Sequence, residues 1–461
     1  MSGDEYGRTG QVQDRNAGFA AGHDPETSAD DNPEPSDGHD LERSDGRGPE
    51  PSAERGLGSW LLAEGSLPAR VAAAVVLMLP AAGAILRGSA MQDNGYVVRA
   101  ARALLSGRSP YADERFLYLP TSAVAALGEA WLDDRTIRLV VPFVLAILTL
   151  AGWWAALRAC EVRLGSHLGL LGMAGIAVLF GYRSLLVVAN WSVVAVVALP
   201  LALHLCARGR WHTAAVVAGV SIALKPMLVP LAVLFLFARR WRALLTLVAV
   251  PVTLVLLSLP LTPEPGRFVV DTLPFLLRGQ DEYARPYDAS LASILPRLGV
   301  GGGVTLAVRM LVAVAGLLLA WARWRVPVAG QARDGRGGRD GRGGWAIPDE
   351  LLRLVETSSM IMLMVFLVFT PAFGHYSLVV LLPLAATVAD RRSVVRSPWF
   401  WIAVAPQFPG VDIPDLMTSE NRAFTVSFMY AVLAALLAAR TLRSGTGWRP
   451  GVPARLRSSR L

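Results

Sequence analysis

"TAAVVAGVSIALKPMLVPLAVLFLFA" (Thr213–Ala238) is an apolar run of 26 residues with a lysine and a proline near its centre. A bilayer crossing takes about 20 apolar residues, so the run is long enough to span once. Lys225-Pro226 argues against one straight span. Proline brings no N–H to the helix and pushes the residue before it into an extended conformation. Arg208 and Arg210 precede the run, and Arg239, Arg240 and Arg242 follow it. Short basic loops stay on the cytoplasmic side, so both ends belong to one side. The run therefore reads as two short helices that enter and return at Lys225-Pro226. Such broken helices persist where protein or a water-filled cavity satisfies the freed backbone groups. An ammonium at the break is expected to be functional, and a compact point charge suits a phosphate.

The rest of the chain has the same character. It is 53% hydrophobic and 17% charged, against about 25% charged in ordinary soluble domains. Ten further apolar runs lie between Arg70 and Ala439, so an all-α polytopic membrane protein of about 10–12 transmembrane helices is expected, both termini cytoplasmic. Arg158–Arg163, Arg323–Arg342, Arg391–Arg396 and the residues after Arg440 form further basic loops on the same side. This placement explains the excess of basic residues without nucleic acid. Met1–Leu57 holds 14 acids against 5 arginines and almost no apolar periodicity, and reads as a disordered cytoplasmic tail, not a signal peptide. The membrane domain is expected over 58–442, with a Gly/Arg-rich cytoplasmic linker at 325–347 and a basic tail at 443–461. Cys160 and Cys206 both fall on the cytoplasmic side, where no disulfide is expected.

Polar groups with chemical potential gather on the other face. Asp93, in "MQDNGYVVRAARALLSGRSPY" (Met91–Tyr111), stands where the chain leaves its first apolar run. A carboxylate there is costly unless it faces a polar cavity, and it can serve as general base toward a hydroxyl. Tyr96–Leu105, with Arg99 and Arg102, reads as an amphipathic surface helix. Phe116–Leu132, with Pro120 and Glu129, reads as interfacial or re-entrant. Asn190 lies in the outer half of its run. The outer connections Tyr182–Arg183 and Thr370–His375 are short. His375 and Tyr376 sit at the second, where His375 is suited to donate to a phosphate or sugar hydroxyl. The loop Asp271–Leu295 mixes Arg278, Asp281 and Tyr283 with apolar residues, a composition that suits a carbohydrate.

The order of Asp93, "RAARALLSGRSPY" (Arg99–Tyr111) and "YLP" (Tyr118–Pro120) resembles the polyprenyl-phosphate-sugar-dependent glycosyltransferases of the GT-C superfamily, in particular glycosyltransferase family 87. The resemblance continues through Leu224–Leu261, Thr272–Tyr283 ("TLPFLLRGQDEY") and Gly374–Leu384 ("GHYSLVVLLPL"). It implies a GT-C-like bundle with periplasmic interfacial helices and an active site on the extracytoplasmic side. It also implies a polyprenyl-phosphate sugar as donor, a cell-envelope glycan as acceptor, and membrane lipid as surroundings. Asp93 takes the place of the family's catalytic acid and Lys225-Pro226 that of its Lys-Pro. Asn94 stands where related members often carry a second acid, which speaks against a two-carboxylate metal site; no cofactor is expected. The implied reaction is transfer with inversion, of arabinofuranose from decaprenyl-phosphate arabinose, with Asp93 as base. Lys225, His375 and Arg99 would hold the donor phosphate. Asn94, Tyr111, Tyr118, Asn190, Arg278, Asp281, Tyr283 and Tyr376 would hold the sugars. Mannosyl transfer is the alternative among enzymes, and a lipid-linked-sugar transporter the alternative from another class.

Overall fold

The computed structural model describes residues 56–86, 91–278, 284–326, 338–339, 345–411 and 421–445. These are helical apart from short connections and one two-residue strand pair, Gly338–Arg339 with Trp345–Ala346. Among them, six helices are long and apolar enough to cross a bilayer: Leu67–Leu86, Asp134–Ala159, Trp241–Leu261, Gly302–Arg325, Asp349–Val368 and Arg422–Arg443. His167–Val178 and Phe180–Val188 form a further pair bent by 62°. Val193–Ala207, Trp211–Leu224, Pro226–Phe237 and Gly374–Ala385 are shorter apolar helices. The architecture is the all-α, polytopic one that the hydropathy demands. Phe116–Leu132 folds into helices far too short to cross, Pro120–Ala125 and Leu127–Ala130, which pack on Gln92–Leu105.

The Asp349–Val368 helix forms the core, with 83% of its apolar window buried. Trp241–Leu261 and Gly302–Arg325 lie at the periphery, at 11% each, with Leu245, Val252, Leu311 and Leu318 exposed. Lipid covers such faces at no cost, because its tails are as apolar as leucine. Helix starts are set by side-chain caps. Asp133 accepts from the backbone N–H groups of Arg135 and Thr136, and Ser166 from that of Gly169.

Thr213–Ala238 does turn back on itself. The Trp211 ring meets Phe235 at 5.5 Å and carries the Arg240 guanidinium at 5.5 Å. His212 Nδ1 lies 3.2 Å from Thr246 Oγ1. The arginines before and after the run therefore share one end of the bundle, and Lys225 lies at the tip, away from them. The described parts of the other basic loops collect at the same end. Cys206 lies in the field of Arg240 and Glu350, and Cys160 in that of Asp390, whose loop bonds Arg440 through the Arg392 carbonyl. Both cysteines are free and buried.

One outer turn lies elsewhere than expected. The sequence suggests a turn at Tyr182–Arg183, but the helix Phe180–Val188 runs through it and the turn falls at 189–192. Tyr182 is buried, donating from its hydroxyl to the Leu77 carbonyl at 2.8 Å. Gly181 makes this possible: a Cβ there would lie 2.7 Å from Ser377 Oγ and 2.8 Å from the Gly374 carbonyl oxygen. The tyrosine that mimics a loop is thus satisfied inside the bundle.

The basic end is tied by a buried ion network. Glu356, 1% exposed, pairs with Arg323 Nε at 2.6 Å and Arg440 Nε at 3.1 Å, joining three helices. Removing one partner leaves uncompensated buried charge, so Glu356→Gln is expected to cost about 3 kcal/mol. A lowered thermal midpoint of the full-length protein in detergent checks it. Cysteines placed at Arg208 and Arg242 should label with an impermeant maleimide from one side of intact vesicles, and one placed at Glu114 only from the other.

Candidate active site

Lys225 owes its position to the residue after it. Pro226 holds it extended (φ −151°, ψ 118°) between the Trp211–Leu224 helix and a 3₁₀ turn, Pro226–Leu231. The break leaves the Leu224 carbonyl without a helical partner, and Ser122 Oγ donates to it at 2.6 Å. The ammonium faces the rings of Tyr118 and Tyr376 at 5.4 and 5.3 Å, distances of cation–π attraction. It donates one hydrogen bond, to Asn190 Oδ1.

Asn190 joins Lys225 to Asp93. Its Nδ2 donates to Asp93 Oδ2, while its Oδ1 also accepts from the Ser192 backbone N–H at 2.8 Å. Asp93 lies in the first turn of Gln92–Leu105, where the helix dipole favours an anion. Burial nonetheless pushes its carboxyl above the usual aspartate range, against the opposing pull of Lys225 and the Asn190 hydrogen bond. His375 lies within reach of the Lys225 charge, stacked on Phe373 at 5.5 Å and edge-on to Tyr376 at 4.8 Å. It is 4% exposed, and its Nε2 has no hydrogen-bond partner among the described residues. Asp93, Asn190, Lys225, Tyr118, Tyr376 and His375 thus form one cluster, at the end away from the basic loops.

Other expected residues sit differently. Arg99 pairs with Asp113 at 3.2 Å and stacks on Tyr96 at 4.6 Å, half-exposed, so its charge is engaged outside the cluster. Tyr111 is buried among Phe116 and Phe268, its hydroxyl on the Tyr118 carbonyl at 3.3 Å; it supports Tyr118 and meets no cavity polar group. Asn94 is buried and occupied, donating to Glu129 Oε2 at 2.7 Å and accepting from Trp191 Nε1 at 2.8 Å. Asp281 and Tyr283 lie outside the described residues, as does the side chain of Arg278. No group of three His, Cys, Asp or Glu side chains with metal-binding geometry occurs among the described residues.

Two positioning elements escape a reading of the sequence. Trp191 and Ser192 belong to the turn that carries Asn190. Asp288, 2% exposed, accepts from the Ala372 N–H at 2.8 Å, Thr370 Oγ1 at 2.6 Å, and both the N–H and hydroxyl of Ser290. It clips the loop before Leu291–Arg297 onto the segment that presents His375 and Tyr376. The Asp-x-Ser spacing of Asp288 and Ser290 is the local signal of such a turn.

The fold and cluster define a polytopic helical membrane protein with an acid, an amide and an ammonium linked near one membrane boundary. Residues 116–337 match the model of glycosyltransferase family 87, so the family resemblance holds over that region, which includes Tyr118, Asn190 and Lys225. Alpha-(1->3)-arabinofuranosyltransferases of Mycobacterium tuberculosis strains CDC 1551 / Oshkosh and ATCC 25618 / H37Rv are each 30% identical over 186 residues, 40% of this chain and 38% of theirs. That of Mycolicibacterium smegmatis strain ATCC 700084 / mc(2)155 is 27% identical over 187 residues, with the same shares. The chain thus spans about two fifths of the length of these curated relatives. No solved structure matches the chain significantly.

Asp288 gives the site its own stability test. Asp288→Ala strands four donors, two of them backbone N–H groups, and is expected to cost about 3 kcal/mol. The full-length protein in detergent should melt earlier and be cut faster by protease around 284–298.

Proposed function

We propose that the protein is a membrane glycosyltransferase that moves arabinofuranose from decaprenyl-phosphate arabinose to a hydroxyl of an extracytoplasmic cell-envelope glycan. The observation that carries this is the linked chain of Asp93, Asn190 and Lys225, away from every basic loop, in a protein with a family 87 region. Arabinofuranose is the sugar that the matched relatives, alpha-(1->3)-arabinofuranosyltransferases, transfer by name. The concentration of basic loops at the other end favours a cytoplasmic position for that end and an extracytoplasmic one for the cluster.

The chemistry asks for little beyond these groups. A polyprenyl phosphate leaves readily, so no strong acid is required. The acceptor hydroxyl attacks C1 of the sugar from the face opposite the phosphate, which inverts the centre. Asp93 accepts the hydroxyl proton as the new C–O bond forms. The C1–O bond to phosphate breaks, and the phosphate keeps the electron pair. Lys225 lies where that growing negative charge needs a cation, and His375 Nε2 is free to donate to it. The rings of Tyr118 and Tyr376 hold the ammonium in place, and its single bond to Asn190 leaves further protons for the phosphate.

Membranes bearing the full-length protein should transfer label from decaprenyl-phosphate arabinose, and Asp93→Asn should reduce the rate about 10²–10⁴-fold. Lys225→Met should cost about 10²–10³-fold. A base works ionised, so activity is present above the Asp93 pKa and lost as pH falls through it. Because burial raises that carboxyl, the acidic limb of the rate profile should lie above about 4, the value of an exposed aspartate. Transfer by Asp93→Asn at the parent rate would sink the assignment.

A further inference from the structure

Asp93 and Lys225 carry opposite charges in one cluster, yet no ion pair joins them; each is bonded to the amide of Asn190. That amide is itself fixed. Its Oδ1 accepts from Ser192 N, which sets which edge faces the lysine. Ala189 takes the left-handed conformation (φ 51°) and turns the chain so that Trp191, the next residue, donates to Asn94. Two successive residues of the turn therefore clamp two successive residues of the facing helix. An amide is the side chain that fits: it presents a donor edge and an acceptor edge and carries no charge. No other described side chain hydrogen-bonds both the carboxylate and the ammonium, whose attraction grows steeply at short range in a low-dielectric site.

We infer that Asn190 is a positioning residue, a neutral spacer that keeps the Asp93 carboxylate and the Lys225 ammonium apart so that an acceptor hydroxyl and a donor phosphate can each engage its own partner. This rests on the transferase reading above. With the spacer, the carboxylate keeps a lone pair for the hydroxyl proton and the ammonium keeps protons for the departing phosphate. In a collapsed pair the two groups satisfy each other. The carboxylate becomes a weaker base, and phosphate must compete with it for the lysine. The other titratable groups that act on this pair are Tyr118 and Tyr376, which feel Asp93; His375, which feels Lys225; and Asp288, which acts on Tyr376.

The test compares the parent, Asn190→Ala, Asn190→Asp and Asp93→Asn as full-length proteins in membranes. Transfer of labelled arabinose from decaprenyl-phosphate arabinose is followed from about pH 4 to 9, a window that brackets a shifted carboxylate. Size-exclusion profiles and melting in detergent identify the folded variants. Asn190→Ala should move the acidic limb down by about one pH unit, since an opposite charge now contacts the base, and raise the donor KM about tenfold. Asn190→Asp should move the limb up by about one unit, because a second carboxylate faces the first. If Asn190→Ala misfolds, Asn190→Asp decides. Folded variants that keep the parent's limb and KM, or lose rate with both unchanged, overturn the spacer. Inactive Asp93→Asn alongside that result leaves the base assignment standing; active Asp93→Asn removes base and spacer together.

Discussion

An ammonium inside an apolar bundle must find hydrogen-bond partners, and Lys225 finds one amide oxygen and two aromatic faces. That need organises the end of the protein away from the basic loops. The proline break delivers the lysine, the turn after Phe180–Val188 delivers Asn190, and the segment at Gly374–Tyr376 delivers a ring. Each comes from a different part of the chain and each depends on a local backbone exception. Lys225 is extended, Ala189 is left-handed, and Gly181 allows its helix to touch the Gly374–Tyr376 turn. Such exceptions persist only where the surrounding packing over-determines them.

The basic end plays the opposite part. Glu356 binds arginines from two neighbouring helices, and Asp390 accepts from the Ile347 N–H and from Arg392 through its backbone, Nε and Nη2. These pairs hold helices whose apolar faces supply little specificity among themselves, because lipid competes equally for leucine. With one end tied by ions, the helices carry fixed positions to the other, where the hydrogen bonds of the cluster are few.

Much of this is readable from residue order. The Lys225-Pro226 break and the basic residues on both sides of it require a returning segment, and the ring contact of Trp211 with Phe235 shows one. The short helices of Phe116–Leu132 follow from proline, glycine and Glu129 interrupting an otherwise apolar run. The partnership of Asn190 was not readable, because it joins residues 97 and 35 positions away and an asparagine in an apolar run looks the same whether it bonds a helix or a substrate. Tyr182–Arg183 misled for a related reason: a tyrosine and an arginine imitate a loop, while the tight packing at Gly181 that buries the tyrosine is a property of two distant segments meeting. Asp288 shows both sides. Its turn with Ser290 is local and legible, whereas its grip on Thr370 and Ala372 is not.

Counting donors supports Asp93, rather than Asp288, Asp390 or Glu356, as the base of the proposed transfer. A general base needs an oxygen lone pair that the fold has not already used. Asp288 accepts four hydrogen bonds and Asp390 four, and both oxygens of Glu356 face arginines. Their oxygens are already engaged in holding backbone and helices together. Asp93 accepts a single bond, from Asn190, on one oxygen. Its other oxygen carries no protein donor among the described residues. Burial disfavours its charge while its neighbours restore only part of what burial removes. The same accounting applied to the cations singles out Lys225. Arg323 and Arg392 are bound to carboxylates, while the lysine gives one bond to a neutral amide and keeps its other protons for a phosphate.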